Sequence, residues 1–173
     1  TPYFSNIAAK AVFFKEAVSE EYKARQVKVV ENAKRLANAL LKKGYNILTG
    51  GTDNHLMLVN VADSTPSTGS TSSPQASSGQ ASSPQADNSS HLTGLSAQQC
   101  LERCGIVVDK MLLPYDENPN GPSGIRLGTP IITKNGMGAA EIDLISELVD
   151  TVLSNLKSSG QTIDQSVADR VRG

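Results

Sequence analysis

The chain has 173 residues, enough for one ordinary domain. Its 16 basic and 17 acidic residues leave a formal charge of −1, which excludes the electrostatic footprint of a nucleic-acid or anionic-lipid binder. No apolar run approaches the roughly 20 residues that span a bilayer, and no signal peptide opens the sequence, so a cytoplasmic protein is expected.

Thr1-Pro2 leads almost at once into a helical pattern, with Ile7, Ala8, Ala11, Val12 and Phe14 on one face from Asn6 to Ala17. Ser19-Glu20-Glu21 resets a helix with acids in its first turn, where the macrodipole favours them. That helix is predicted from Glu20 to Lys43 and carries one apolar stripe of Tyr22, Val29, Val30, Ala33, Leu36, Ala37, Leu40 and Leu41. Its length predicts that it lies across a sheet. Tyr45 to Leu48 then reads as a short strand, Thr49 to Asn54 as a polar turn, and Leu56 to Val61 as a second strand. Both faces of the second strand are largely apolar, which predicts a central position.

From Ser64 to Ala86 no charged residue appears, and the pentads Ser72-Ser73-Pro74-Gln75-Ala76, Ser77-Ser78-Gly79-Gln80-Ala81 and Ser82-Ser83-Pro84-Gln85-Ala86 repeat in tandem. With nothing to bury, residues 64–91 are expected to be a disordered insertion. Ser96 and Gln99 fit a capping box opening a helix that ends at Gly105. Cys100 and Cys104, four apart on it, are expected to be reduced and buried on one face. Ile106 to Asp109 is predicted as a strand, Pro114 to Pro122 as an irregular loop, Gly124 to Leu127 as a further strand, and Ala139 to Leu156 as an amphipathic helix. The C-terminal residues, Asp164 to Arg172, read as a helix cut short, and the sequence has the look of a piece of a longer chain. Elements this mixed argue for an α+β fold, a small sheet covered by helices.

One stretch stands apart: Pro122-Ser123-Gly124-Ile125-Arg126-Leu127-Gly128-Thr129-Pro130 sets a single arginine in an apolar run bracketed by glycines. On the inward face of its strand, Arg126 would need an anionic partner and would act as a clamp for a carboxylate or phosphate. On the outward face it would merely solvate the strand. Ser123-Gly124 is expected to allow close approach of backbone, and Thr129-Pro130 to set the strand exit. In Thr52-Asp53-Asn54-His55, the residues Thr52, Asn54 and His55 are possible pocket-lining groups; the same segment is equally a tight turn, with His55 tying it to a neighbouring strand.

The segments Ile7-Ala8-Ala9-Lys10-Ala11-Val12, Thr49-Gly50-Gly51-Thr52-Asp53-Asn54-His55-Leu56 and Ser123-Gly124-Ile125-Arg126-Leu127-Gly128-Thr129-Pro130 resemble serine hydroxymethyltransferase in order and spacing once the insertion is set aside. The resemblance implies the C-terminal part of a fold-type I, pyridoxal 5'-phosphate-dependent transferase that interconverts serine and glycine, with tetrahydrofolate as cosubstrate. It implies helices from the end of the large domain over 1–44, the small domain over 45–63 and 92–157, and a tail over 158–173. The cofactor lysine would lie before Thr1, so no catalytic residue and no metal ligand is assigned here, and the fragment alone should be inactive. Arg126 would bind the substrate carboxylate, and the complete enzyme would be a homodimer. At Asp109-Lys110-Met111 the family commonly has Asn-Lys-Asn, and Met111 lacks the amide associated with the folate pteridine. The Thr1 to Ser5 segment also departs from a glycine-richer family loop. The alternatives are a folate-independent, aldolase-like member of the family and a non-catalytic, stand-alone domain that binds a partner.

Overall fold

The computed structural model describes residues 3–62, 92–118, 121–159 and 164–172; the whole of the predicted insertion, residues 64–91, lies outside them. Helix α1 (Phe4–Ala17) forms as its periodicity predicts, yet none of its residues is buried. Ser19 caps α2 (Glu20–Lys42), its hydroxyl accepting from the Tyr22 N–H at 3.2 Å. The buried face of α2 is Val29, Asn32, Ala33, Leu36, Ala37 and Leu40. Tyr22 leaves that stripe and packs edge-on to Phe13, with centroids 5.8 Å apart.

Beyond α2 come β1 (Asn46–Ile47), a 3-10 turn (Leu48–Gly50), β2 (Leu56–Asn60), α3 (Gly94–Arg103), β3 (Asp109–Met111) and β4 (Gly124–Gly128). Three helices follow: α4 (Pro130–Lys134), α5 (Ala139–Ser159) and α6 (Gln165–Arg172). The four strands form one antiparallel sheet in the order β1-β2-β4-β3, so β2 is interior, as its two apolar faces imply. Ile47, Met57, Val59, Ile125 and Leu127 point to one face and meet Leu36 and Leu40 of α2, Leu101 of α3, and Ile142, Val152 and Leu153 of α5. The architecture is α+β, with helices on one side of a small sheet.

Some boundaries differ from the sequence reading. The capping box of α3 is Thr93 with Ser96: the Thr93 hydroxyl accepts from the Ser96 N–H and the Ser96 hydroxyl from the Thr93 N–H. Ser96 is therefore the third helical residue rather than the cap. Cys100 and Cys104 are both buried, in no disulfide. The predicted strand at Ile106 begins only at Asp109, because the Ile106 N–H still bonds back to the Leu101 carbonyl as the chain leaves the helix. Pro130 does more than end a strand. It opens α4, where its fixed φ suits the first turn and its missing N–H costs nothing. The C-terminal helix packs on α5 and buries Ala168, which makes it part of the core.

The turn before β4 is where the chain on either side of the insertion meets. The Val61 N–H bonds to the Ser123 carbonyl at 3.0 Å and the Gly94 N–H to the Pro122 carbonyl at 2.7 Å. Glycine is required at Gly94 by contact rather than by conformation: a Cβ there would sit 2.2 Å from the Gly124 carbonyl oxygen. A Cβ at Gly124 would in turn meet Leu113 Cδ2 at 2.6 Å, the close approach expected of Ser123-Gly124. Gly94→Ala should therefore push α3 off the sheet and cost about 1–3 kcal/mol, read as a lower urea midpoint. An unchanged midpoint would show that the helix shifts without penalty.

Candidate functional site

The helices leave the other face of the sheet open around Arg126, while Leu113 and Tyr115 cover it at Gly124 and Asn60. Ile125 and Leu127 enter the core, so strand alternation sends Arg126 to the open side. The inward placement that would have forced a buried ion pair does not occur; the guanidinium is partly solvated, its side chain 44% exposed. Its neighbours on that face along β4 are Gly124 and Gly128, which have no side chains to crowd it. Directly across the ladders stand Leu58 of β2 on one side and Asp109 of β3 on the other. Arg126 Nη2 donates to Asp109 Oδ2 at 2.9 Å, and no other hydrogen bond to the guanidinium comes from the described residues. Asp109 was visible in the sequence as a strand residue, but its partnership with Arg126 depends on a register between distant segments.

Arg126 and His55 line one shallow depression of about 440 Å³, with Leu56, Val107, Val108, Asp109, Leu127 and Gly128. Thr52 and Asn54 do not line it. Their side chains are engaged within the turn: Thr52 Oγ1 donates to the Leu56 carbonyl at 2.6 Å, and Asn54 Oδ1 accepts from the Leu56 N–H at 2.9 Å. His55 ties that turn to the exit of β4, its carbonyl accepting from the Thr129 N–H at 3.0 Å. Its imidazole is exposed beside a second depression with Asn54, Val29 and Pro130. The structure thus brings His55 to Arg126 and gives Thr52 and Asn54 a local role in shaping the approach.

Two further residues hold the site without belonging to it. The buried Thr129 hydroxyl donates to the Val29 carbonyl at 2.8 Å, fastening the end of β4 to the middle of α2. Asp116 accepts from the N–H groups of Leu113 and Ser123, at 2.8 and 2.9 Å, and from the Ser123 hydroxyl. These bonds pin the loop that feeds β4 and so fix where Arg126 emerges. Nothing in the sequence singled out Asp116, since its acceptor role appears only once the loop folds back. Met111 shares the open face with Asp109, two residues along β3.

A small antiparallel sheet, backed by helices on one face and presenting one arginine on the other, defines an α+β lobe. Comparison with known proteins agrees. The family model for serine hydroxymethyltransferase matches residues 1–75 and 87–149. The chain is 37% identical over 172 residues to the serine hydroxymethyltransferase of Methanosarcina barkeri, and 39% identical over 171 residues to that of Methylobacterium sp. (strain 4-46). These matches cover 99% and 98% of the chain but 35% and 34% of the relatives. The chain belongs to the serine hydroxymethyltransferase family, and its fold corresponds to the C-terminal domain of those enzymes.

Burial pushes the Asp116 carboxyl upward, but its hydrogen bonds from Ser123 and Leu113 outweigh this and hold it below the ordinary carboxylate range. A depressed folded-state value means that the stabilisation is complete above the unfolded pKa and is lost as pH falls through the folded one. Asp116→Ala should cost about 1–2 kcal/mol at neutral pH. The gap from the parent protein should close as the pH falls from about 4 toward 2, measured by denaturant melts. A gap independent of pH would assign Asp116 no role as a charged acceptor.

Proposed function

We propose that this chain is the C-terminal part of an enzyme that interconverts serine and glycine with tetrahydrofolate as one-carbon acceptor, and that Arg126 binds the substrate carboxylate. The placement of Arg126 carries this reading: a cation on an open sheet face, uncrowded by its strand neighbours, with one donor engaged. A carboxylate meeting the remaining donors can form two parallel N–H···O bonds. Such a grip holds an amino acid in one orientation, which cleavage of a bond at its α-carbon requires. Leu56 and Leu58, half-buried beside it, would limit water at that grip.

Pyridoxal phosphate, when bound, supplies the electron sink for that cleavage. The described residues do not fit it. Every described lysine is exposed, and none lines the depression shared by His55 and Arg126. We therefore assign the cofactor lysine to another part of the complete protein and expect the 173 residues alone to be inactive. The exposed Phe4, Ile7, Val12 and Phe14 of α1 support a larger assembly, because side chains of this kind are normally covered. A homodimer of the complete protein is part of the proposal. No helix among the described residues is long and apolar enough to cross a membrane, and the buried thiols of Cys100 and Cys104 accord with a cytoplasmic setting.

Met111 favours a second reading. Its thioether lies on the open face where an amide would offer a paired donor and acceptor, which points to an aldolase-like reaction without folate. Serine-dependent methylene transfer to tetrahydrofolate by the complete protein would dismiss it. For the leading reading, Arg126→Ala in the complete protein should weaken serine binding roughly 10- to 100-fold, the equivalent of a charge-assisted bond of about 1.5–3 kcal/mol. Turnover should be lost and cofactor absorbance kept. Normal serine affinity in that variant would refute the clamp.

A further inference from the structure

Asp109 is the partner that a ligand at Arg126 has to contend with. The two residues face each other in register across the β3–β4 ladder, and their side chains are 55% and 44% exposed. An ion pair this open contributes little to folding, so the sheet does not depend on it. Its effect on an incoming anion is another matter. Among the described residues, no second lysine or arginine lines the depression around Arg126. A ligand carboxylate there would have to share one guanidinium with a carboxylate already in place, which holds one of its donors.

We propose that Asp109 is an internal counter-ion that competes with the substrate carboxylate for Arg126, so that binding is an exchange of one carboxylate for another. This rests on Arg126 being the substrate clamp. The contact leaves the exchange open to a suitable ligand, because Asp109 meets a single nitrogen, Nη2, through a single oxygen. A substrate carboxylate that engages the fork with both oxygens replaces one bond with two. A neutral acceptor such as an amide cannot match the charge it would displace. Asp109 therefore lowers affinity in general while raising the preference for a fully ionised carboxylate. It is a positioning and specificity residue, not a group that touches the reacting bond.

The test is glycine binding to the complete, cofactor-loaded protein by titration calorimetry. Asp109→Asn, which keeps an acceptor but removes the charge, should tighten glycine roughly 3- to 10-fold, the scale on which a charge-assisted hydrogen bond exceeds a neutral one. Asp109→Ser should do the same, and serves if the first variant fails to fold. In an Arg126→Ala background the Asp109→Asn effect should vanish, as a double-mutant cycle requires of competition for one group. Unchanged or weaker glycine binding in folded Asp109→Asn, with Arg126→Ala still defective, would overturn the proposal and leave the clamp standing. An Asp109→Asn effect that persists without Arg126 would also overturn it. Normal binding in Arg126→Ala would instead remove the clamp on which it rests.

Discussion

The burial of Ile125 and Leu127 sets the parity of β4, and the rest of the open face follows from it. Side chains alternate along a strand, so once these two enter the core Arg126 has no choice of side. Slipping the strand by one residue would expose both, losing about 1.5–3 kcal/mol for each, and would drive a guanidinium among Leu101, Ile142 and Leu153. Both penalties act in one direction. The arginine is thus placed by its neighbours' hydrophobicity rather than by any partner of its own.

The helix layer enforces that choice through polar fastenings at its edges. Thr129 binds the end of β4 to α2, and the buried Asn32 of α2 donates to Thr133 Oγ1 and the Met137 carbonyl around α4. At the far end, Asp150 of α5 accepts from the Tyr45 hydroxyl at 2.7 Å and from Lys43 Nζ at 3.2 Å. Burial is the larger reason that the Tyr45 phenol is held far above its usual range, and the bond to Asp150 adds to it. Directional bonds of this kind fix the angle at which α2 crosses the sheet, which apolar packing alone leaves looser.

What the sequence made legible were the elements whose information is local. The 3.6-residue stripes of α2 and α5 and the two-faced apolar pattern of β2 predicted their type, extent and central position, because each reports on its own neighbours. The capping of α3 was misplaced by three residues, since Thr93 and Ser96 are both competent caps and only the fold decides between them. Helix α4 was hidden by its brevity: five residues carry too little periodicity to register. Arg126 was identified as the residue of interest with its face left open between inward and outward, and the outward one is observed. Its facing partner Asp109 could not be found from spacing, because the two lie 17 positions apart and meet only through a hairpin register. The clamp reading of Arg126 came from the resemblance of its segment to a known motif, not from its local chemistry.

The seam at Pro122-Ser123 bears on how this gene can change. Val61 and Gly94 are bonded to adjacent carbonyls, so the chain on either side of the repeat-bearing insertion is held at one point of the fold. The entropy of closing a loop between fixed ends grows only logarithmically, about 0.6 kcal/mol for each doubling of length. Gain or loss of a Ser-Ser-Pro-Gln-Ala unit between those ends would therefore alter stability by a small fraction of that amount. Both ends of that segment are thus fixed by the lobe itself, at Val61 and at Gly94, whatever number of repeats lies between them.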